Sequence, residues 1–157
     1  MDIRPARTSD IQTAVAMVER SRRQHQKYQP TFWRKAANSA AATETFFTRL
    51  VDEPGAFFLV ATEGSELQGF LIARRFPAPP VFDPGGETYL IDDFCVLEPH
   101  LWLTVGEALL SHASTLIHEH GGAQIVVVSA DRDLAKSEML RRSDLTIVSN
   151  WWTRPLG

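Results

Sequence analysis

The chain has a single cysteine in 157 residues, Cys95, so an internal disulfide and a multi-cysteine zinc site are both excluded. No apolar run approaches the ~20 residues that a membrane-spanning helix needs. The opening residues, Met-Asp-Ile-Arg-Pro-Ala-Arg, carry no apolar leader core, which predicts a chain that is not secreted. These absences together predict a cytoplasmic protein with no membrane partner. A strong excess of charge of either sign is also lacking. The net charge is -3, and the densest basic stretch, Arg20 to Lys27, continues a helix into a loop. Nucleic acid needs a concentrated basic face, so no nucleic-acid partner is expected. Tyrosine is scarce, with only Tyr28 and Tyr89. There is no repeat, low-complexity tract or linker, and the length suits a single domain over residues 1–157.

What is present reads as alternating structure. Residues 2–6 form a short strand, and Ser9 with Gln12 makes a capping-box pattern. Ile11, Ala14, Val15 and Val18 then recur at helical spacing. Gln24 to Arg34 loses that period and reads as a loop. Asn38 caps a second helix whose apolar face carries Phe47, Leu50 and Val51. Phe57 to Ala61 and Leu67 to Arg74 are strands joined by a tight turn at Glu63-Gly64-Ser65. The proline-rich stretch from Phe76 to Glu87 must be a loop, since prolines cannot donate to a sheet ladder. Thr88 to Leu97 is a central strand, and a helix runs from about Thr104 to His120. Ile125 to Val128 reads as a strand covered on both faces. A short helix from about Asp133 to Arg142 and a final strand from Leu145 to Trp152 complete the series. The order predicts a mixed α/β sheet with helices on both faces and a parallel crossover over residues 88–128.

The stretch from Leu90 to Leu110 carries most of the chemistry. A strand with adjacent carboxylates, Asp92 and Asp93, runs into a loop that opens a helix. A helix N-terminus presents free N–H groups and positive dipole charge, which suits an anion such as phosphate. On this segment, on the opening Ile3-Arg-Pro-Ala-Arg-Thr-Ser-Asp-Ile11, and on the strand–turn–strand Phe57 to Ala73 with Gly69, the chain resembles the GNAT family, the GCN5-related N-acetyltransferases. The resemblance implies a single-domain GNAT-like fold, with a mostly antiparallel sheet splayed at a central parallel pair. It implies acetyl-CoA as the acyl donor, its pantetheine arm beside Phe94, Cys95 and Val96, and its pyrophosphate on Leu103, Thr104, Val105, Gly106 and Glu107.

The family's pyrophosphate loop reads Gln/Arg-x-x-Gly-x-Gly/Ala. Here Gly106 matches the second glycine, while Leu101 and Thr104 replace the first residue and the first glycine. Backbone N–H donors survive these changes, because no proline lies between Leu101 and Leu110. Many members have a tyrosine in the last helix that protonates the leaving thiolate, and Leu140 stands at that position. The asparagine that often opens this helix appears as Asp133. Lys136, one turn on, reads either as a partner of a CoA phosphate or as a solvated helix lysine.

Acetyl transfer to an amine needs a group that takes the ammonium proton. Asp92 and Asp93 are both candidate bases, and as neighbours on a strand they should point to opposite faces. Tyr28, Phe32 and Trp33 read as a wall of the acceptor site or as a lid on the core. Cys95, between Phe94 and Val96, reads as a buried small hydrophobe rather than a nucleophile. His112, His118 and His120 do not share a helix face, so no metal site is expected. Trp151 and Trp152 should alternate across the final strand, one of them in the core. The resemblance implies an N-acetyltransferase acting by direct attack of a primary amine on the thioester. The acceptor would be a small molecule or peptide, and a homodimer is possible for this fold. The alternative is a catalytically inactive GNAT-fold binding or dimerisation module.

Overall fold

The computed structural model describes residues 1–157. Five strands form one sheet in the order β1-β2-β3-β4-β5: β1 Asp2–Pro5, β2 Phe57–Glu63, β3 Glu66–Arg75, β4 Glu87–Val96 and β5 Gly122–Val127. The first four are antiparallel neighbours, and β4 and β5 are parallel. Four helices pack on the sheet: α1 Ile11–Tyr28, α2 Ser39–Val51, α3 Val105–Glu119 and α4 Leu134–Arg142.

Alternation along the strands divides the core into two layers. Phe58, Val60, Phe70, Ile72 and Cys95 face α1 and α2. Leu59, Leu71, Tyr89, Ile91, Phe94 and Val96 face α3 and α4. Tyr89 and Ile91 share that second face with Phe94 and Val96, which strict alternation forbids. A β-bulge explains it. Leu71 lies opposite Phe94 and Ala73 opposite Ile91, so two steps on β3 match three on β4. The extra residue falls at Asp92-Asp93.

Local sequence accounts for most of the elements. Glycine at position 69 lets α3 approach the sheet, since a Cβ there would lie 3.0 Å from both the Cys95 carbonyl oxygen and Val105. Gly64 turns the β2–β3 hairpin at φ 59. The start of α1 differs from expectation. Ser9 makes no cap, and a short 3-10 turn, Thr8–Asp10, leads in instead. Asp10 accepts the Arg7 N–H at 2.7 Å and pairs with Arg4 at 2.7 Å, while Gln12 donates to Glu44 at 2.6 Å. Asn38 stands at the N-cap of α2, but its side chain makes no capping bond. α1 also runs to Tyr28, through residues expected to be loop.

The final strand is the largest correction. Residues 145–157 form no regular element, and Trp151 and Trp152 are 84% and 90% exposed. Strand propensity reflects fit to a partner, and this segment takes another partner than the sheet. Asp144, at φ 62, turns the chain away from α4. Trp151 then meets Phe32 edge-on at 6.1 Å, and Pro155 shares a hollow with Pro30 and Thr31. The tail therefore lies on the loop between α1 and α2. As a result β5 is an edge strand, half-exposed rather than covered on both faces.

Candidate active site

Parting of β4 from β5 creates the site. Their parallel pairing ends at Ile91 opposite Val127, closed by the Val128 N–H donating to the Ile91 carbonyl at 3.0 Å. β4 continues to Val96 with no strand beside it on that edge. Three elements meet β4 around the bulge: α1 through Arg22 on Asp93, Val128 through its bond to Ile91, and α4 through Lys136 near the Phe94 carbonyl.

The bulge also changes the expected disposition of the two carboxylates. They do not simply alternate across a strand. Asp93 lies on the α1 side, 3.5 Å from Arg22. Burial pushes its carboxyl up, Arg22 pulls it down, and the charge of Asp92 pushes it up again. Asp92 is exposed, and its charge acts on both His25 and Lys136. Both carboxylates therefore act on the charge of Lys136.

His25 is the residue that sequence reasoning missed on the opposite wall. Its ring lies 5.0 Å from Trp33 and 6.1 Å from Tyr28. Burial first, then Lys136, lowers its pKa and favours the neutral imidazole. Glu19 was missed as well. It is buried and accepts hydrogen bonds from Lys35 at 2.8 Å, from Ser39, and from Arg22 at 3.2 Å. Burial opposes its charge, but these three donors prevail and hold its pKa at about 2. Arg22 also donates to Ser39 and Thr43, so it ties α1 to α2 and to Asp93 together. A signal for this cluster did exist. The helical period of Val15 and Val18 continues into Glu19, Arg22 and His25, which puts ionisable groups on the buried stripe.

Phe32 and Trp33 pack edge-to-face at 5.4 Å and line a cavity of about 240 Å³. Its other walls include Arg22, Arg34, Lys35 and Ser39, with no carboxylate among the lining residues. Tyr28 is half-buried beside His25 and does not line that cavity.

The residues expected to hold the donor are split between the strand edge and the start of α3. Phe94 and Val96 face the α3 layer, where the Phe94 ring meets Trp102 edge-on at 4.9 Å. Cys95 faces the other layer and is buried, and burial pushes its thiol up to about 11. That thiol is protonated at neutral pH and is no nucleophile. A short 3-10 helix, Pro99–Leu103, precedes α3 and leaves Leu103 exposed. Thr104 occupies the N-cap of α3, yet its hydroxyl bonds the Leu101 carbonyl at 3.3 Å rather than capping the helix. The first helical bond runs from the Ala108 N–H to Thr104, leaving the N–H groups of Val105, Gly106 and Glu107 without an intrahelical acceptor. Val105 is core and Glu107 is exposed. Gly106 has a packing reason: a Cβ there would lie 2.6 Å from the Trp102 ring.

Asp133 caps α4, accepting the Lys136 N–H at 3.2 Å. Lys136 departs from the solvated reading, being only 5% exposed. Its ammonium donates to the Val128 carbonyl at 2.8 Å and approaches that of Phe94 at 3.5 Å. It also lies over the rings of Phe94 and Trp102, at 5.2 and 5.4 Å. No carboxylate pairs with it, and burial lowers its pKa. Leu140 packs against the core, and Tyr89 is fully buried with its hydroxyl near Arg75. No tyrosine stands on α4.

No family model and no curated protein matches this sequence. Solved structures do match along the whole chain. A Bacillus halodurans protein, solved as a tetramutant, superposes with a TM-score of 0.83 at 17% identity, covering 99% of this chain and 100% of that one. An aminoglycoside antibiotic 6'-N-acetyltransferase from Acinetobacter haemolyticus gives 0.72 at 14% identity, covering 100% of both chains. A ribosomal-protein-alanine N-acetyltransferase from Brucella melitensis gives 0.68 at 16%, covering 99% of this chain and 100% of that one. The chain has the GNAT fold. At these identities the likeness concerns architecture, and function must be argued from the site. No helix of this GNAT-fold protein is long and apolar enough to cross a membrane.

Proposed function

We propose that this protein is an N-acetyltransferase that moves an acetyl group from acetyl-CoA to a primary amine. The observation that carries the reading is the free edge of β4 past Ile91, with the open N–H groups of Val105, Gly106 and Glu107 at the start of α3. A strand edge can hydrogen-bond the amide-bearing arm of the donor, and a helix N-terminus can take its pyrophosphate. Leu103 and Thr104 flank that phosphate position, and Phe94, Cys95 and Val96 supply the strand backbone. Asp133 and Lys136 border the arm.

The acceptor would sit between the β4 bulge and the wall of Tyr28, Phe32 and Trp33. Asp93 or Asp92 removes the ammonium proton, directly or through water. The amine nitrogen then bonds to the thioester carbon, and a strand N–H steadies the oxyanion. The C–S bond breaks, the nitrogen gives up its second proton to water as the amide forms, and the thiolate takes a proton from solvent or a neighbouring acid, because α4 lacks a tyrosine. Arg22, Arg34 and Lys35 around the cavity suit an acceptor that carries an anionic group beside its amine. The protein would work in the cytoplasm, without a metal, a membrane or nucleic acid, and a homodimer is compatible with the fold.

The test is calorimetric titration with acetyl-CoA and CoA, followed by measurement of CoA thiol release with an amine panel. Micromolar binding with amine-dependent thiol release is expected. No binding refutes the reading. Binding without turnover on any amine would instead identify an inactive GNAT-fold module.

A further inference from the structure

The parting of two parallel strands leaves backbone groups that need partners. Continuing the β4–β5 ladder would give the Val128 carbonyl the N–H of Asp93. The strands have separated by then, and Val128 instead accepts the Lys136 ammonium at 2.8 Å. The same ammonium reaches the Phe94 carbonyl across the gap, over the rings of Phe94 and Trp102. Lys136 therefore bridges the slot that the strands open, and it does so without a carboxylate partner. A charge buried on carbonyls and ring faces alone is held less firmly than one in an ion pair, because desolvation is incompletely repaid. Its long aliphatic stem lets the head move out to water while the helix stays in place.

We propose that Lys136 is an internal occupant of the β4–β5 slot, and that the amide-bearing arm of an acyl-CoA enters only by expelling its ammonium. This rests on the reading that the slot takes acetyl-CoA. Lys136 then sets donor affinity by competition, since its head and the arm seek the same Phe94 and Val128 carbonyls. Asp92, Asp93 and Asp133 act on its charge and offer the displaced ammonium a place to go.

The first experiment uses the unmodified protein. Reductive methylation of lysines, read by peptide mass spectrometry, is run with and without saturating CoA. Lys136 should be protected alone and labelled at least tenfold faster with CoA. The second experiment titrates acetyl-CoA into Lys136→Ala, which should bind about tenfold more tightly. Lys136→Met, which keeps the stem volume and loses the donors, covers the case in which the alanine variant misfolds. Binding of CoA to the wild type with Lys136 still protected overturns the occupant role and leaves the acetyltransferase reading standing. Weaker binding to both variants also overturns it, making Lys136 a donor ligand. Binding to none of the three proteins overturns the occupant role and the acetyl-CoA reading together.

Discussion

Replacing Glu19 with glutamine tests whether the acceptor wall is held by charge. The carboxylate is buried under the loop 29–38 and receives three donors, from Lys35, Ser39 and Arg22. Its pKa falls from 4.5 to about 2. At 1.36 kcal/mol for each tenfold change in acidity, that fall is worth at most about 3 kcal/mol. Lys35 and Arg22 are part-exposed, so solvent screening reduces it to about 1–2 kcal/mol. The sign follows from a depressed folded-state pKa. The stabilisation is complete above pH 4.5 and is lost as the pH falls towards 2. Urea unfolding at pH 7 should find Glu19→Gln less stable by about 1–2 kcal/mol, equivalent to a Tm lower by about 3–8 °C. At pH 3 the gap between variant and wild type should shrink by more than half. Equal stability at pH 7, or an equal gap at both pH values, would refute a charge-based clamp.

Three further outcomes follow from particular contacts. Gly106→Ala should lose about 1–3 kcal/mol in urea unfolding, because its Cβ would meet the Trp102 ring at 2.6 Å; unchanged stability would show that Trp102 yields freely. Cys95 should resist a thiol-specific chromogenic reagent at pH 8 until the chain is unfolded, since burial holds its thiol at about 11. If Asp93 is the base, Asp93→Asn should lower kcat by about a hundredfold while Asp92→Asn does so less. The acid limb of the wild-type pH profile should then lie above the usual carboxylate range, because burial raises the Asp93 pKa and the base works only when ionised; an acid limb at ordinary carboxylate values would exclude Asp93.

The sheet and its layers were legible because apolar period is a local signal. Val60, Phe70 and Ile72 alternate, α3 repeats its core residues at helical spacing, and Gly64 and Gly121 mark the turns. The end of α1 was harder to read, because its apolar stripe gives way to Glu19, Arg22 and His25 and only the helical spacing continues. Of these, Glu19 is buried, with partners far along the chain in Lys35 and Ser39. The tail failed for a related reason. Leu145 to Trp152 has the composition of a strand, but composition cannot say whether a sheet edge or the loop carrying Phe32 will receive it. The geometry of the carboxylate pair was not legible, because simple alternation gives way to a β-bulge there. Nothing in Ile91-Asp92-Asp93-Phe94 announces a bulge, which is a property of the register against β3.

Lys136 connects these points. A GNAT-type slot is a broken ladder, and a broken ladder exposes carbonyls in a place that is otherwise apolar. Such carbonyls are costly when left alone. Water would satisfy them if the walls were polar and roomy, but Phe94 and Trp102 make the walls here aromatic. A cation on a long apolar stem meets both demands, since rings favour a cation and carbonyls favour a donor. The residue that reads in sequence as an ordinary helix lysine is therefore explained by the same structural break that would admit a donor. Its burial tests the cofactor assignment more sharply than the altered glycine loop does. The loop retains its N–H groups whatever the side chains are, whereas an ammonium and a pantetheine arm would compete for the same two carbonyls.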